Sequence, residues 1–290
     1  MKILVTGAYG QLGNELKVLS VDYPEWQFLF TDADSLDITN ELSVKSFFDR
    51  NKPDFVINCA AYTAVDKAEN DVETAEKVNA LAPELLAKTA AKTGSKLIHV
   101  STDYVFDGTS YLPYTESDRV KPMSVYGSTK LDGENRALVA NQQTIVIRTS
   151  WLYSSFGNNF VKTMLRLGHE RGLLNVVFDQ VGTPTYAADL ASVILFIIAG
   201  SEAKPEDFIP GVYHYSNEGV ASWYDFAKVI FELSAMNVRV NPVRSDQFPT
   251  VAKRPAFSVL DKTKIKTTYC AEIPYWKDSL EICLGKLNEL

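Results

Sequence analysis

A glycine-rich turn between the first apolar run and the first helical segment constrains the fold more than any other feature. Residues 2–6 form the apolar run, which leads into TGAYGQLG at residues 6–13. In such a segment Gly7 allows a tight turn, Gly10 lets backbone N–H groups approach a pyrophosphate, and Gly13 lets the helix pack closely on the sheet. A helix N-terminus also attracts phosphate. The pattern predicts dinucleotide binding, with a purely structural turn as the alternative.

Strand-like and helix-like segments alternate over the first half of the chain. Strand-like runs lie at 2–6, 27–31, 55–59, 97–101 and 144–149, and helical patterns lie at 11–20, 40–51, 72–93 and 124–140. This alternation predicts βαβ units and a parallel sheet. In such sheets ligands bind at the carboxyl ends of the strands.

The second half of the chain has a looser pattern. Helical segments are predicted at 160–170, 187–198, 222–233 and 277–287, and a strand at 211–215. We therefore predict an α/β fold, with a doubly wound parallel sheet of the Rossmann type in residues 1–150. A smaller C-terminal α/β substrate lobe would comprise residues 151–290, with the chain crossing back to the sheet near 182–215.

Composition excludes several classes of protein. The 290 residues are 46% hydrophobic and 22% charged, which excludes a disordered or low-complexity chain. A net charge of −7 gives no general attraction to nucleic acid or anionic membranes. The three cysteines and three histidines are scattered, which argues against a disulfide framework and a metal site. The longest apolar stretch, 193–199, is too short to span a bilayer. We predict a cytoplasmic protein without nucleic-acid or membrane partners.

An acidic residue at the end of the second predicted strand bears on the choice of cofactor. Asp32 lies about 20 residues beyond Gly13, where a carboxylate can accept hydrogen bonds from the ribose of NAD. A solvated loop acid is the alternative. The sequence favours NADH over NADPH, with use of both left open. After the third strand, the small residues Ala60 and Ala61 would let adenine and ribose pack against the backbone.

Tyr126 and Lys130 form the candidate acid–base pair. Four positions apart on a predicted helix, they share one face. A free tyrosine has a pKa near 10, and a neighbouring ammonium favours the phenolate. We therefore expect Lys130, together with an oxidised nicotinamide, to lower the pKa of Tyr126. Thr102 follows the fourth strand and would place its hydroxyl near the same carbonyl oxygen. Each of these features has an ordinary structural explanation when taken alone. A glycine turn, an acid after the second strand, a hydroxyl after the fourth strand and then the Tyr–Lys pair, in this order along the chain, together predict an oxidoreductase.

The chain resembles the extended short-chain dehydrogenase/reductases, and within them the reductases that act on a 4-keto-6-deoxy sugar carried by dTDP. The resemblance runs almost from end to end. It rests on AVDKAE at 64–69, STDYVF at 101–106, RTSW at 148–151, GNNFVKTM at 157–164, DQVGTPT at 179–185, and Arg254-Pro255 followed by Ser258.

The resemblance implies a role for each matching position. Residues contacting the cofactor would be Gly7, Gly10, Gln11, Leu12, Gly13, Asp32, Asp37, Ile38, Ala60, Ala61, Tyr62, Thr63, Tyr126 and Lys130. Tyr126 would donate the proton, assisted by Lys130 and Thr102. Residues contacting the substrate would be Thr102, Asp103, Tyr126, Trp151, Asn159 and Arg254. Trp151 could instead be a core residue, and Arg254, whose guanidinium suits a diphosphate, could instead form a surface ion pair.

The implied reaction is reduction of the C4 ketone of dTDP-6-deoxy-L-lyxo-4-hexulose to dTDP-L-rhamnose. A nucleotide-sugar 4,6-dehydratase or epimerase is the nearest competing enzyme. A dehydratase needs a further acid beside the Thr102-Asp103 pair, and Tyr104 stands there instead, which favours simple reduction. A reductase of another 4-keto-6-deoxy nucleotide sugar and a non-catalytic NAD(P)-binding regulatory subunit remain alternatives. Some relatives pair through a divalent cation, to which Glu15 could contribute. We predict no metal and leave the oligomeric state open.

Overall fold

The computed structural model describes residues 1–288. Its strands are β1 (Lys2–Thr6), β2 (Gln27–Thr31), β3 (Phe55–Asn58), β4 (Lys96–Thr102), β5 (Thr144–Thr149), β6 (Leu152–Tyr153), β7 (Leu173–Val177), β8 (Val181–Gly182), β9 (Thr185–Tyr186), β10 (Gly211–His214), β11 (Ala221–Ser222) and β12 (Arg239–Val243). The α-helices are α1 (Gln11–Leu19), α2 (Glu41–Asn51), α3 (Val65–Ala68), α4 (Val72–Glu76), α5 (Ala82–Thr93), α6 (Val125–Ala140), α7 (Phe160–Glu170), α8 (Ala187–Ala203), α9 (Trp223–Leu233), α10 (Thr263–Tyr269) and α11 (Trp276–Asn288).

Six strands form the central sheet in the order β10-β5-β4-β3-β1-β2, and every neighbouring pair is parallel. The predicted doubly wound α/β sheet is therefore confirmed. The strand order reverses at β1, which has β2 on one side and β3 on the other. The carboxyl ends on either side of such a reversal leave a crevice between the connecting loops. The strand β10, from the second half of the chain, pairs with β5 at one edge of this sheet.

Helices cover both faces of the sheet because successive strand residues point to opposite sides. On β1, Ile3 and Val5 pack in a cluster with Leu16 of α1 and Ile194 of α8. Leu4, between them, packs in a second cluster on the other face with residues of α2, α5 and α6. All of β3 and β5 is buried, as expected for inner strands covered on both faces.

A further apolar cluster joins α7, α9 and α11. Phe226, Trp276 and Leu280 are among its buried members, and the parallel pair β7 and β12 packs beside it. The predicted helix at 160–170 has the same bounds in the structure, and α9 begins at a capping box formed by Ser222 and Asp225. None of the helices within residues 1–288 combines the length and apolar character needed to cross a bilayer.

One predicted helix is wrong in detail. The segment 72–93 is not a continuous α-helix, because the π-turn Lys77–Leu81 separates α4 from α5. Inside this turn the buried Asn79 donates to Tyr62 O and Thr129 Oγ1 and accepts from Tyr62 N–H. These bonds tie the turn to the loop after β3 and to α6. The short strands β6, β7, β8, β9, β11 and β12 were not predicted.

Candidate active site

A cavity of about 1100 Å³ lies at the carboxyl ends of the sheet strands. Most of the predicted site residues line it: Gly7, Gly10, Gln11, Leu12, Gly13, Asp32, Asp37, Ile38, Ala60, Ala61, Thr63, Thr102, Asp103, Tyr126, Lys130 and Trp151. The glycine turn and the Tyr126–Lys130 pair are 113 or more positions apart in sequence, yet they face one space. The cavity therefore contains both the predicted cofactor-binding turn and the predicted acid–base pair.

The glycine turn fits a pyrophosphate. Gly7 has φ +65, and a Cβ there would lie 2.7 Å from the backbone nitrogen of Ala60. Gly10 is the N-cap of α1, and no side chain within residues 1–288 caps that helix end by a hydrogen bond. The first turn of α1 also carries no acidic residue. Free N–H groups and the positive end of the helix therefore face the cavity, which is the environment that a phosphate needs.

Gly13→Ala is expected to lower stability and cofactor affinity together. The added Cβ would lie 2.5 Å from Ala8 Cα and from Gly7 O, both backbone atoms. Overpacking of this kind typically costs about 1–3 kcal/mol. Urea unfolding and a cofactor titration would measure the two effects. Gly200→Ala is the matched control, because a Cβ there meets nothing within 4 Å among the described residues. Equal stability and affinity of Gly13→Ala and wild type would contradict the expectation.

Two carboxylates follow β2 at the edge of the cavity. Asp32 Oδ1 accepts from Ser35 N–H at 3.1 Å and from Ser35 Oγ at 2.8 Å. These hydrogen bonds hold the pKa of Asp32 below its ordinary value, so it is charged at neutral pH. Asp37 Oδ1 accepts from the backbone and the hydroxyl of Thr39. Lys77 lines the same cavity, and its ammonium is 2.7 Å from Glu73.

The start of α6 is held in place by two caps. Ser124 Oγ accepts from Gly127 N–H at 3.1 Å, and Glu69 Oε1 accepts from Val125 N–H at 2.9 Å. Tyr126 is the second residue of the helix, and its ring packs edge-on against Tyr104 with centroids 5.5 Å apart. Local capping and this aromatic contact therefore restrain the candidate proton donor.

The structure does not show the lowering of the Tyr126 pKa that we expect from Lys130, and the part assigned to an oxidised nicotinamide stays a prediction. Burial raises the pKa of Tyr126 to about 12, although the Thr102 hydroxyl opposes this. Burial also lowers the pKa of Lys130 to about 8, and Lys130 Nζ donates to Val100 O at 2.7 Å. Desolvation of the phenolate thus outweighs the hydrogen bond from Thr102, and the charge of Asp103 adds to the increase. The phenol keeps its proton at neutral pH, as a proton donor requires.

Thr102 and Asp103 lie where β4 ends. Thr102 Oγ1 donates to Asp103 Oδ1 at 3.1 Å and accepts from Tyr104 N–H at 3.2 Å. Burial raises the pKa of Asp103 to about 6, although Ser258 and Thr102 lie beside it. The pair places a hydroxyl and a carboxyl beside Tyr126 in the cavity wall.

The sequence interpretation missed Trp223, which lines the cavity beside Trp151. The two indoles stack with centroids 3.5 Å apart and planes 6° apart. Trp151 has φ +47, which is unusual for a residue with a side chain. The only sequence signal for Trp223 was its place directly after the predicted helix cap Ser222. Gly157 and Asn158 also line the cavity, within a segment that carried the resemblance.

Three predicted site residues do not line the cavity. Tyr62 turns away and donates its hydroxyl to Asp71 Oδ2 at 2.9 Å. Asn159 caps α7 through Lys162 N–H, and its amide donates to Gln11 Oε1 at 3.0 Å. These side chains form hydrogen bonds within the protein, and their predicted contacts with ligands stay predictions.

The third residue outside the cavity lining is Arg254. Its guanidinium is held by Asp66, with Nη2 2.7 Å from Oδ2 and Nη1 3.1 Å from Oδ1. Asp66 also accepts from Ala252 N–H, so it fixes the loop that carries the arginine. The ion pair that the sequence left as an alternative is therefore present. A role in binding the diphosphate stays a prediction.

Glu15, the candidate cation ligand, is fully buried. Its Oε1 accepts from Ser154 Oγ at 2.6 Å, and its Oε2 lies 3.9 Å from Lys286 Nζ. Burial raises its pKa. In the described part of the chain, no group of three or more histidine, cysteine or acidic side chains is placed to hold a metal ion.

Comparison with known proteins assigns the family. The family model described as the RmlD substrate binding domain matches residues 1–289. The chain belongs to this RmlD family. A relative from Aggregatibacter actinomycetemcomitans, named dTDP-4-dehydrorhamnose reductase, is 44% identical over 290 residues, 97% of each chain. The resemblance inferred from the sequence is confirmed.

Two solved structures are similar to this member of the RmlD family. The dTDP-4-dehydrorhamnose reductase of Clostridium acetobutylicum has a TM-score of 0.94 and 45% identity, covering 99% of this chain and 100% of its own. That of Bacillus anthracis, in complex with NADP, has a TM-score of 0.93 and 38% identity, covering 98% and 99%. The similarity therefore extends over both the sheet and the C-terminal half.

Proposed function

We propose that the protein reduces the C4 ketone of dTDP-4-dehydro-6-deoxy-L-mannose to dTDP-L-rhamnose, for cell-surface polysaccharide synthesis. One observation carries the proposal: Thr102, Tyr126 and Lys130 line the same cavity as the glycine turn. Relatives similar over nearly their whole length are named for this activity. The protein would be cytoplasmic, with residues 151–290 as its substrate lobe.

The residues present fit a nicotinamide dinucleotide. Gly10, Gln11 and Leu12 would hold the pyrophosphate at the N-terminus of α1, and Asp32 would hold the adenosine ribose. Lys130 would bind the ribose on the nicotinamide side. When bound, the nicotinamide supplies the hydride that reduces the ketone carbon.

Side chains of the protein would protonate the ketone oxygen and hydrogen-bond to it. Tyr126 donates its proton to the oxygen as negative charge develops there, and Thr102 donates a hydrogen bond to the same atom. The raised pKa of Tyr126 keeps this proton available throughout the neutral range. Trp151 and Trp223 would pack against the apolar face of the sugar or its nucleotide. Holding the ketone close to the cofactor would provide much of the acceleration.

NADH is proposed as the preferred cofactor, because the charged Asp32 would repel the 2′-phosphate of NADPH. The Bacillus anthracis relative was solved in complex with NADP, so the activity with NADH should be compared with the activity with NADPH. We expect kcat/KM for NADH to exceed that for NADPH by about 10-fold, equivalent to about 1.4 kcal/mol. A ratio at or below unity would contradict the assignment of Asp32.

The experiment that tests the activity mixes the purified protein with NADH or NADPH and the keto-sugar nucleotide. Loss of the reduced-nicotinamide absorbance, with dTDP-L-rhamnose as product, would support the proposal. Turnover only with another 4-keto-6-deoxy nucleotide sugar would change the substrate. A folded protein that binds either cofactor but turns over nothing would indicate the regulatory alternative.

A further inference from the structure

A line of buried polar side chains crosses the sheet behind Lys130. Thr6 of β1, Asn58 of β3 and His99 of β4 are each 1% exposed or less. They are register partners on neighbouring strands, Thr6 with Asn58 and Asn58 with His99. Thr6 Oγ1 lies 2.7 Å from Asn58 Oδ1, Asn58 Nδ2 lies 3.0 Å from His99 Nδ1, and His99 Nε2 lies 3.4 Å from Lys130 Nζ.

The buried hydroxyl of Thr6 sets the direction of these hydrogen bonds. A buried O–H needs an acceptor, and within the described residues the Thr6 hydroxyl bonds to Asn58 Oδ1 alone. The amide nitrogen of Asn58 therefore faces His99, and an amide nitrogen can only donate. Nδ1 of His99 must accept, so a neutral ring carries its hydrogen on Nε2. Burial and the charge of Lys130 hold the pKa of His99 well below its ordinary value, which keeps the ring neutral.

The Nε2–H group of this tautomer points at Lys130 Nζ. A neutral amine can accept that hydrogen through its lone pair, whereas an ammonium has only hydrogens to offer. We propose that His99 is a positioning residue that presents Nε2–H to Lys130 and thereby stabilises the neutral amine of the catalytic lysine. The inference rests on the proposed function of Lys130 in ketone reduction.

Some groups around Lys130 favour its charged ammonium form, and others favour the neutral amine. Val100 O accepts from Nζ, and the carboxylate of Glu134, one turn along α6, favours the ammonium. Cys59, at the end of β3, is the remaining titratable neighbour from the sheet, and burial keeps it a neutral thiol by raising its pKa to about 12. Burial lowers the pKa of Lys130 to about 8. His99 would thus oppose Glu134 and make both forms of the lysine accessible close to neutral pH.

Nitrogen NMR of the histidine rings tests the tautomer directly. The chain has three histidines, so uniform ¹⁵N-histidine labelling gives few signals, and His99→Asn assigns those of His99. We expect a protonated Nε2 and a bare Nδ1 from about pH 5 to about pH 9. A proton on Nδ1, or a ring that becomes charged in this range, would overturn the proposal. This measurement uses the wild-type protein and does not depend on activity.

The pH dependence of kcat tests the effect on Lys130. His99→Asn retains an acceptor for Asn58 near the Nδ1 position and removes Nε2–H. A neighbouring ammonium favours the phenolate that Tyr126 becomes when it gives up its proton, so we expect kcat to fall as Lys130 loses its charge at alkaline pH. Without Nε2–H the ammonium persists to higher pH, so this fall should move up by roughly half a pH unit or more. His214→Asn is the control, since His214 is also buried but bonds through Nδ1 to Tyr114 O.

The two variants give distinct outcomes. An alkaline limb that moves no more in His99→Asn than in His214→Asn, or that moves to lower pH, would refute the role of His99. If His99→Asn does not fold, the NMR measurement of the His99 tautomer in the wild-type protein tests the proposal by itself. A wild-type protein without turnover would refute the proposed function and leave the tautomer result standing.

Discussion

Tyr126→Phe is expected to lower kcat by about 10²–10⁴-fold, the usual contribution of a positioned proton donor. The substitution removes only the phenolic oxygen and keeps the ring that packs against Tyr104. Cofactor affinity should therefore change little, because the glycine turn and Asp32 are untouched. Steady-state kinetics and a fluorescence titration with the reduced cofactor would measure the two quantities.

The control for this variant is Tyr111→Phe, which removes a hydroxyl from a side chain that is 87% exposed. It should leave kcat, cofactor affinity and unfolding free energy near the wild-type values. Wild-type kcat in Tyr126→Phe would show that another group protonates the ketone oxygen. A large loss of cofactor affinity would show instead that the phenol mainly organises the binding site.

Glu134→Ala is expected to lower the free energy of unfolding by about 3–5 kcal/mol. Glu134 on α6 and Arg148 on β5 form a buried ion pair, with side chains 1% and 5% exposed and Arg148 Nη2 2.8 Å from Glu134 Oε2. Ser101 Oγ donates to the same carboxylate. Removing the acid leaves the guanidinium charged, buried and unpaired, which is far more costly than losing an exposed salt bridge.

Urea unfolding would measure this loss, and the double variant Glu134→Leu with Arg148→Met is the matched comparison. Replacing both partners of a buried pair by apolar residues is often neutral or stabilising. The double variant should therefore recover much of the stability that Glu134→Ala loses. A loss below about 1 kcal/mol in the single variant would mean that water or another group compensates Arg148.

Local patterns were sufficient to predict much of the fold. The helix Phe160–Glu170 was predicted with its observed bounds, because its apolar spacing is readable over a few turns and Asn159 caps it. The π-turn Lys77–Leu81 was not predictable in this way. It is held by bonds from Asn79 to Tyr62 and Thr129, residues that lie 17 and 50 positions away. Such contacts leave no periodic signal in the sequence.

The sequence by itself determined the α/β fold and which residues are candidates for cofactor binding and proton transfer. A glycine turn after a strand and a Tyr126–Lys130 pair on one helix face depend on neighbours within two helical turns. Tertiary structure alone decided which polar side chains face the cavity and which are committed elsewhere, as with Arg254 and Asp66. It also decided the direction of the Tyr126 pKa shift. The physical reason is that hydrogen-bond partners and burial are set by residues distant in sequence, which spacing does not encode.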